Sequence, residues 1–290
     1  MTTTSSFKTD HHDDLFDRGL ACDLDLLVGR RRVLKLLAGA GAAFVVAACG
    51  SSSTDGVSSA VQSGPAGSID PATTATATAT VADGSCPAVV PDETAGPFPG
   101  DGSNGPNALS DRSVVRSDMR GSFGSFTGTA DGTKTDVTFR LLNSIGCTPL
   151  AGAAVYAWHC DRDGNYSMYT APEANYLRAV GATDSDGSVT FTSIFPGCYD
   201  GRWPHIHFEV YPSVDDALSA SNLLKTSQMA LPQAACEDAY IAVGYESSLA
   251  NLSRASLESD NVFADGWDQE LGTAGGDDTA GRTLTLTVTV

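Results

Sequence analysis

Short β-rich runs separated by turn-forming residues follow one another from residue 86 onward, and they constrain the fold more than any other feature. The runs are Thr135–Leu142, Ala153–His159, Ser188–Ile194, His205–Tyr211, Thr226–Leu231 and Arg282–Val290. Turn signals such as Asp163-Gly164 and Pro196-Gly197 lie between them, and helical patterns are confined to Val214–Asn222 and to pieces between Cys236 and Asp260. Since such strands bury apolar side chains by packing sheet on sheet, the predicted fold class is all-β, an antiparallel β-sandwich with long loops and a few short helices.

The first 48 residues are typical of an export signal rather than of a folded segment. Arg30 and Arg31 match the pair of a twin-arginine signal, and the apolar stretch that follows is shorter than the ~20 residues of a comfortable membrane span. The sequence Val46-Ala47-Ala48-Cys49-Gly50 resembles a bacterial lipobox. We therefore expect cleavage before Cys49 and a lipid anchor on its sulfur, on the extracytoplasmic side of a bacterial membrane. The alternative is a plain signal peptide in which Cys49 is incidental.

Residues 49–85 are rich in Ser, Thr, Ala and Gly, and they carry too little apolar surface to offset the entropy of ordering. They are predicted to form a flexible tether behind the lipidated cysteine, with a single folded domain over residues 86–290. The net charge is -18. Segment 1–48 holds six basic and six acidic residues, so its removal leaves that charge unchanged. Such an excess of acid argues against nucleic acid and against direct contact with anionic lipid, and it leaves assembly into a homo-oligomer open.

Five cysteines follow Cys49, and their spacing fits no zinc-finger pattern. They are Cys86, Cys147, Cys160, Cys198 and Cys236. Outside the cytoplasm one or two disulfides are expected, with at least one thiol left over. The sequence does not determine which cysteines pair.

Two of the three histidines beyond residue 48 lie on one predicted strand. Because side chains alternate along a strand, His205 and His207 share a face, while Ile206 and Phe208 occupy the other. One interpretation is a metal site. The other is a solvated face of an edge strand, and the residues around the pair decide between them.

Several motifs around these histidines occur in the order found in a known enzyme family. They are Val155-Tyr156-Ala157-Trp158, Gly164-Asn165-Tyr166, Thr183-Asp184-Ser185-Asp186-Gly187, Phe191–Tyr199 and Arg202-Trp203-Pro204-His205-Ile206-His207-Phe208, with Thr94-Ala95-Gly96-Pro97-Phe98 upstream. The chain resembles the intradiol ring-cleavage dioxygenases in this pattern, which covers most of residues 86–231. With only five residues between Tyr199 and His205, it resembles the exported branch of that family.

The resemblance implies a non-haem Fe(III) cofactor held by Tyr166, Tyr199, His205 and His207. Phenolate is a hard anionic donor that favours ferric iron, and neutral imidazoles complete the ligand set without adding charge. The implied reaction cleaves a catechol-type ring between its two hydroxylated carbons with dioxygen and gives a muconate-type product. In the family pattern Tyr199 is both ligand and base, and Arg202 stabilises charge developing on the substrate.

Other assignments stay open at this stage. Gln228 resembles a family glutamine on the next strand, but a longer intervening loop leaves a solvent-facing glutamine as the alternative. Cys198 is either a disulfide partner that pins the loop of Tyr199 or a buried apolar cysteine. Two other classes of protein compete with the enzyme. One is a non-catalytic metal- or aromatic-binding β-sandwich lipoprotein, and the other is a copper or zinc protein using His159, His205 and His207.

Overall fold

The computed structural model describes residues 86–290, so the predicted export signal at 1–48 and tether at 49–85 lie outside the described residues. Short strands dominate this part of the chain. The strands are β1 (Lys134–Leu142), β2 (Ala154–Trp158), β3 (Arg178–Ala182), β4 (Ser188–Ile194), β5 (His205–Tyr211), β6 (Lys225–Ala230), β7 (Thr273–Gly275) and β8 (Arg282–Thr289). The helices are α1 (Val214–Leu218), α2 (Gln233–Ala239) and α3 (Glu246–Leu252), with 3-10 turns at Arg112–Val114 and Phe263–Asp265.

The strands form two four-stranded sheets, and the predicted all-β sandwich is confirmed. One sheet has the order β4-β1-β8-β7 and the other the order β3-β2-β5-β6. The expectation of a wholly antiparallel arrangement is wrong at one place, because β1 and β8 pair in parallel. These two strands lie far apart in the sequence, so the chain has room to return in the same direction before β8 begins.

The predicted strands lie within one residue of the observed ones, and β4 and β5 have the predicted bounds. Two strands were not predicted. The first, β3, begins with a buried arginine, Arg178, and contains Gly181, both of which weaken a β pattern. The second, β7, has only three residues, all exposed. Helix α1 ends at Leu218, before the predicted Asn222, because Ala220 and Asn222 have positive φ angles of 47° and 54°.

The main core lies between the two sheets, and the side chains on one face of β5 pack into it. Ile206, Phe208 and Val210 belong to this core, and the ring of Phe208 lies 5.0 Å from that of Phe139 on β1. The other face of β5 is buried as well, since every residue from His205 to Tyr211 is inaccessible. Loops and α1 therefore cover the outer face of this sheet, and the solvated edge strand considered from the sequence does not occur.

The five cysteines of residues 86–290 occur in two chemical states. A disulfide joins Cys86 to Cys147, while Cys160, Cys198 and Cys236 are buried free thiols. The single disulfide among residues 86–290 agrees with the one or two disulfides predicted from the sequence. Cys198 is the buried thiol of the two alternatives, since it forms no disulfide. Among residues 86–290, the helices are all too short or too polar to cross a membrane.

Candidate metal centre

His205 and His207 point into one buried pocket on the outer face of the second sheet. Their Nε2 atoms lie 3.1 Å apart, and both side chains are almost inaccessible. The Nδ1 atom of His205 lies 2.5 Å from the carbonyl oxygen of Trp203. A carbonyl only accepts hydrogen bonds, so Nδ1 carries the proton and Nε2 of the neutral ring presents its lone pair to the pocket. His205 is thus oriented as a ligand, with its second nitrogen fixed by the backbone.

Two tyrosine hydroxyls reach the same nitrogen from separate loops. The hydroxyl oxygen of Tyr166 lies 3.4 Å from Nε2 of His205, and that of Tyr199 lies 3.3 Å from it. Tyr166 is buried, whereas Tyr199 remains partly accessible. The structure therefore brings together the four side chains that the family resemblance implied as ligands.

Close contact between the two Gly-x-Tyr loops holds these hydroxyls in place. Gly164 has a φ angle of +89°, and a Cβ atom there would lie 2.8 Å from Cβ of Tyr199. A Cβ at Gly197 would lie 2.5 Å from the carbonyl oxygen of Asp161. Glycine at both positions lets the backbones approach, which explains why each tyrosine follows a glycine by two residues.

Without a bound cation the four donors are neutral, because burial opposes charge on each of them. Burial raises the pKa of Tyr199 to about 12, although the positive charge of Arg202 partly opposes this. Burial and the neighbouring Tyr199 raise the pKa of Tyr166 well above its usual value. Burial also lowers the pKa of His205 and His207 well below the usual value. A bound cation would reverse this balance for the phenols, since it stabilises phenolate.

The donor arrangement fits a metal ion. First-row metal ions bond nitrogen and oxygen ligands at about 2 Å, so donors sharing one ion lie roughly 3 Å apart. The other three donors lie 3.1–3.4 Å from Nε2 of His205. Residues 86–290 hold no group of three or more His, Cys, Asp and Glu side chains suited to a metal. A site here therefore depends on both tyrosines as well as both histidines.

Arg202 and Gln228 lie beside this cluster and bond to each other. Nη2 of Arg202 donates to Oε1 of Gln228 at 2.7 Å, and both side chains are buried. Gln228 pairs with His207 across β5 and β6, and His207 pairs with Trp158 across β2, so the three form one row over the sheet. The solvent-facing alternative for Gln228 is wrong. The Trp158 and His207 rings stack at 5.0 Å with an interplanar angle of 3°.

Residues 93–100, the entrance loop, close over the cluster. Nε2 of Gln228 donates to the carbonyl oxygen of Thr94 at 2.9 Å, and a Cβ at Gly96 would lie 3.1 Å from Cε1 of His207. The ring of Phe98 lies 5.1 Å from that of Tyr166. Buried Arg178 donates to the carbonyl oxygens of Phe98, Pro99 and Ser167, so one side chain ties this loop to the Tyr166 loop.

His159 lies away from the cluster, because its Nδ1 bonds the carbonyl oxygen of Cys160 and its Nε2 the hydroxyl of Ser193, both at 2.7 Å. The copper or zinc site built on His159 therefore does not form. Sequence reasoning missed Arg178 and Asp260, the buried carboxylate that contacts Arg202. Neither lies in a recognisable motif.

Comparison with known proteins supports the resemblance to dioxygenases. A family model described as Dioxygenase matches residues 116–207, which include all four donors. A chlorocatechol 1,2-dioxygenase from Rhodococcus opacus is 40% identical over 55 residues, or 18% of this chain. The chain spans about a fifth of that relative's length, 21%. The structure of an intradiol ring-cleavage dioxygenase from Tetranychus urticae is similar with a TM-score of 0.55 and 21% identity, covering 70% of this chain and 94% of that one.

The structural likeness shows a shared fold, and the family match covers the segment that carries the motifs. Together they confirm the resemblance to the intradiol ring-cleavage dioxygenases. The chain is similar to the Tetranychus urticae enzyme in fold over 70% of its length, and it matches the Dioxygenase family model in sequence over residues 116–207.

Gly164→Ala should disrupt the site, because the added methyl group would collide with Cβ of Tyr199. Gly152→Ala is the matched control, since Gly152 also has a positive φ, +79°, but no atoms within 4 Å of the added Cβ. The control should lower the free energy of unfolding by about 1 kcal/mol through backbone strain alone. Gly164→Ala should lower it by about 2–4 kcal/mol and should weaken any metal binding that depends on the hydroxyl of Tyr199. Urea unfolding and metal analysis measure both effects. Equal behaviour of the two variants would contradict the packing of the loops.

Proposed function

We propose that this protein is a non-haem ferric dioxygenase that cleaves a catechol-type aromatic ring between its two hydroxylated carbons. The observation that carries the proposal is the buried convergence of two phenols and two neutral imidazoles on one point beside a guanidinium. The family match over residues 116–207 supports it. The non-catalytic binding protein is the competing function, and turnover separates the two.

The donor set favours Fe(III) among first-row metals. Tyr166 and Tyr199 would supply hard anionic oxygens, and His205 and His207 neutral nitrogens. When bound, ferric iron would supply a Lewis-acid centre that binds the catechol oxygens and activates the ring toward dioxygen. Zinc sites instead draw on Cys, His and carboxylate ligands, and the tyrosines would then have no role.

The protein residues around this centre have separate roles in the proposal. Tyr199 is the partly accessible tyrosine. In the iron-loaded protein it would be a phenolate, and its oxygen would take up a proton from the entering catechol. Arg202 has its Nε and Nη2 engaged with Asp260 and Gln228, which leaves Nη1 without a hydrogen bond to the described residues. That nitrogen is suited to a substrate oxygen that gains negative charge. The entrance loop and Trp158 pack against His207 and would limit the access of water to the donors.

The proposed reaction balances without an added reductant. The bond between the two hydroxylated carbons and the bond within dioxygen both break, and each of these carbons gains one oxygen atom. The ring supplies all the electrons that reduce dioxygen. The product is therefore an unsaturated dicarboxylic acid of the muconate type, with both hydroxyl oxygens retained.

Tyr199→Phe and His205→Ala should each lower iron content or turnover strongly, since each removes one of the four donors. The iron-loaded wild type should be red to burgundy from tyrosinate-to-iron charge transfer, and its spectrum should shift when catechol is added without oxygen.

Tyr211→Phe is the matched control, because Tyr211 is buried on β5 with His205 but bonds Glu209. It should keep the colour and the activity. A colourless protein that retains zinc or copper after iron loading would refute the proposal, as would ring cleavage at wild-type rates by both donor variants.

Arg202→Met should leave iron content and colour unchanged but lower turnover at least about 100-fold, because the guanidinium acts on substrate charge rather than on the metal. Steady-state oxygen uptake with catechol, with iron measured in the same sample, separates the two effects. Turnover within a few fold of the wild type would show that Arg202 has no part in the reaction.

We also propose that the protein is exported through Arg30-Arg31 and anchored by lipid at Cys49, as the sequence pattern supports. Cells expressing the full chain and fed radiolabelled palmitate should label the wild type. Cys49→Ala should abolish the label, whereas Cys22→Ala, a change at the other cysteine before residue 86, should not. Label retained by Cys49→Ala would contradict the anchor.

A further inference from the structure

Asp260 holds the guanidinium of Arg202 by a direct buried ion pair. Oδ2 of Asp260 accepts a hydrogen bond from Nε of Arg202 at 2.9 Å, and both side chains are almost fully buried. Nη2 of the same guanidinium is fixed by Gln228. Two neighbouring donors of a planar group are thus held, so the plane of the guanidinium and the direction of Nη1 are determined.

The same carboxylate connects Arg202 to the orientation of His205. Oδ2 also accepts from the backbone nitrogen of Trp203 at 2.7 Å, and the carbonyl of Trp203 is the group that fixes Nδ1 of His205. Oδ1 accepts from the backbone nitrogens of Val262 and Phe263 at 2.9 and 3.3 Å. The ring of Phe263 in turn lies 6.5 Å from that of His205.

Four N–H groups donate to the side chain of Asp260, two to each terminal atom, so both terminal atoms must be hydrogen-bond acceptors. Aspartate meets this requirement, because both oxygens of an ionised carboxyl group accept. Asparagine does not, since its amide would turn an NH₂ group toward two N–H donors. An aspartate at position 260 can therefore bond Arg202 and Trp203 through Oδ2 and residues 262–263 through Oδ1.

We propose that Asp260 is a positioning residue for the reaction, acting through Arg202. The proposal depends on the proposed ring cleavage for its kinetic consequence, but the placement of the arginine side chain is a separate structural statement. Asp260 makes no hydrogen bond to any of the four donors among residues 86–290. Its effect on turnover can pass through the guanidinium of Arg202 or, through Trp203, through the orientation of His205, and iron content separates the two routes because only the second acts on a donor.

The test compares Asp260→Asn with Glu270→Gln in the iron-loaded protein. Glu270 is a fully buried carboxyl group near β6 that bonds Ser227 and does not touch Arg202. For Asp260→Asn we expect kcat for catechol to fall tenfold or more, iron content to stay at the wild-type level, and Arg202 to leave its position in the crystal structure. For Glu270→Gln we expect kcat within twofold of the wild type. An unmoved Arg202 together with unchanged kcat in Asp260→Asn would overturn the proposal.

A double variant separates positioning from a general effect on folding. Arg202→Met/Asp260→Asn leaves no lone buried charge, so it should fold even where Asp260→Asn does not. If Asp260 acts through Arg202, kcat of the double variant should equal that of Arg202→Met within twofold. A further tenfold loss would refute the proposal. A wild type without ring cleavage would refute the proposed function alone, because the crystal structures still report whether Asp260 fixes Arg202.

Discussion

The alternation of side chains along β5 is the constraint on which the rest of the structure depends. One face of this strand inserts Ile206, Phe208 and Val210 between the sheets, and the other presents His205 and His207 to the pocket. A shift of one residue would move the imidazoles into the apolar core and the apolar side chains into the pocket. The burial that stabilises the sandwich therefore also fixes the register of the two histidines.

The cluster of donors comes from one strand and two loops. Strand β5 supplies the two imidazole nitrogens, and the paired Gly-x-Tyr loops supply the two phenol oxygens. Burial then leaves a cluster of neutral donors, and Arg202 is the positive group close to Tyr199. Two phenolates would need more positive charge than one guanidinium supplies, so a cation among Tyr166, Tyr199, His205 and His207 would complete the charge balance. The contacts of Arg178 and Asp260 hold the surrounding loops and the guanidinium in place.

Local patterns predicted the regular parts of this fold well. The β-rich runs Ser188–Ile194 and His205–Tyr211, set off by turn signals, coincide with β4 and β5. The parallel pairing of β1 and β8 could not be predicted, because pairing direction depends on the path of the intervening chain. Arg178 and Asp260 were missed for a related reason. Both side chains bond groups distant in the sequence, Arg178 the carbonyls of Phe98 and Pro99 and Asp260 the guanidinium of Arg202, and no local pattern encodes such partners.

We propose that the buried four-donor cluster directs dioxygen into a catechol ring. Mass analysis of the product formed by iron-loaded protein from catechol under dioxygen labelled with heavy oxygen tests this directly. We expect a ring-opened dicarboxylic acid containing both atoms of one labelled dioxygen molecule, one in each carboxyl group. A quinone with no incorporated label, or unchanged catechol bound to coloured protein, would contradict it.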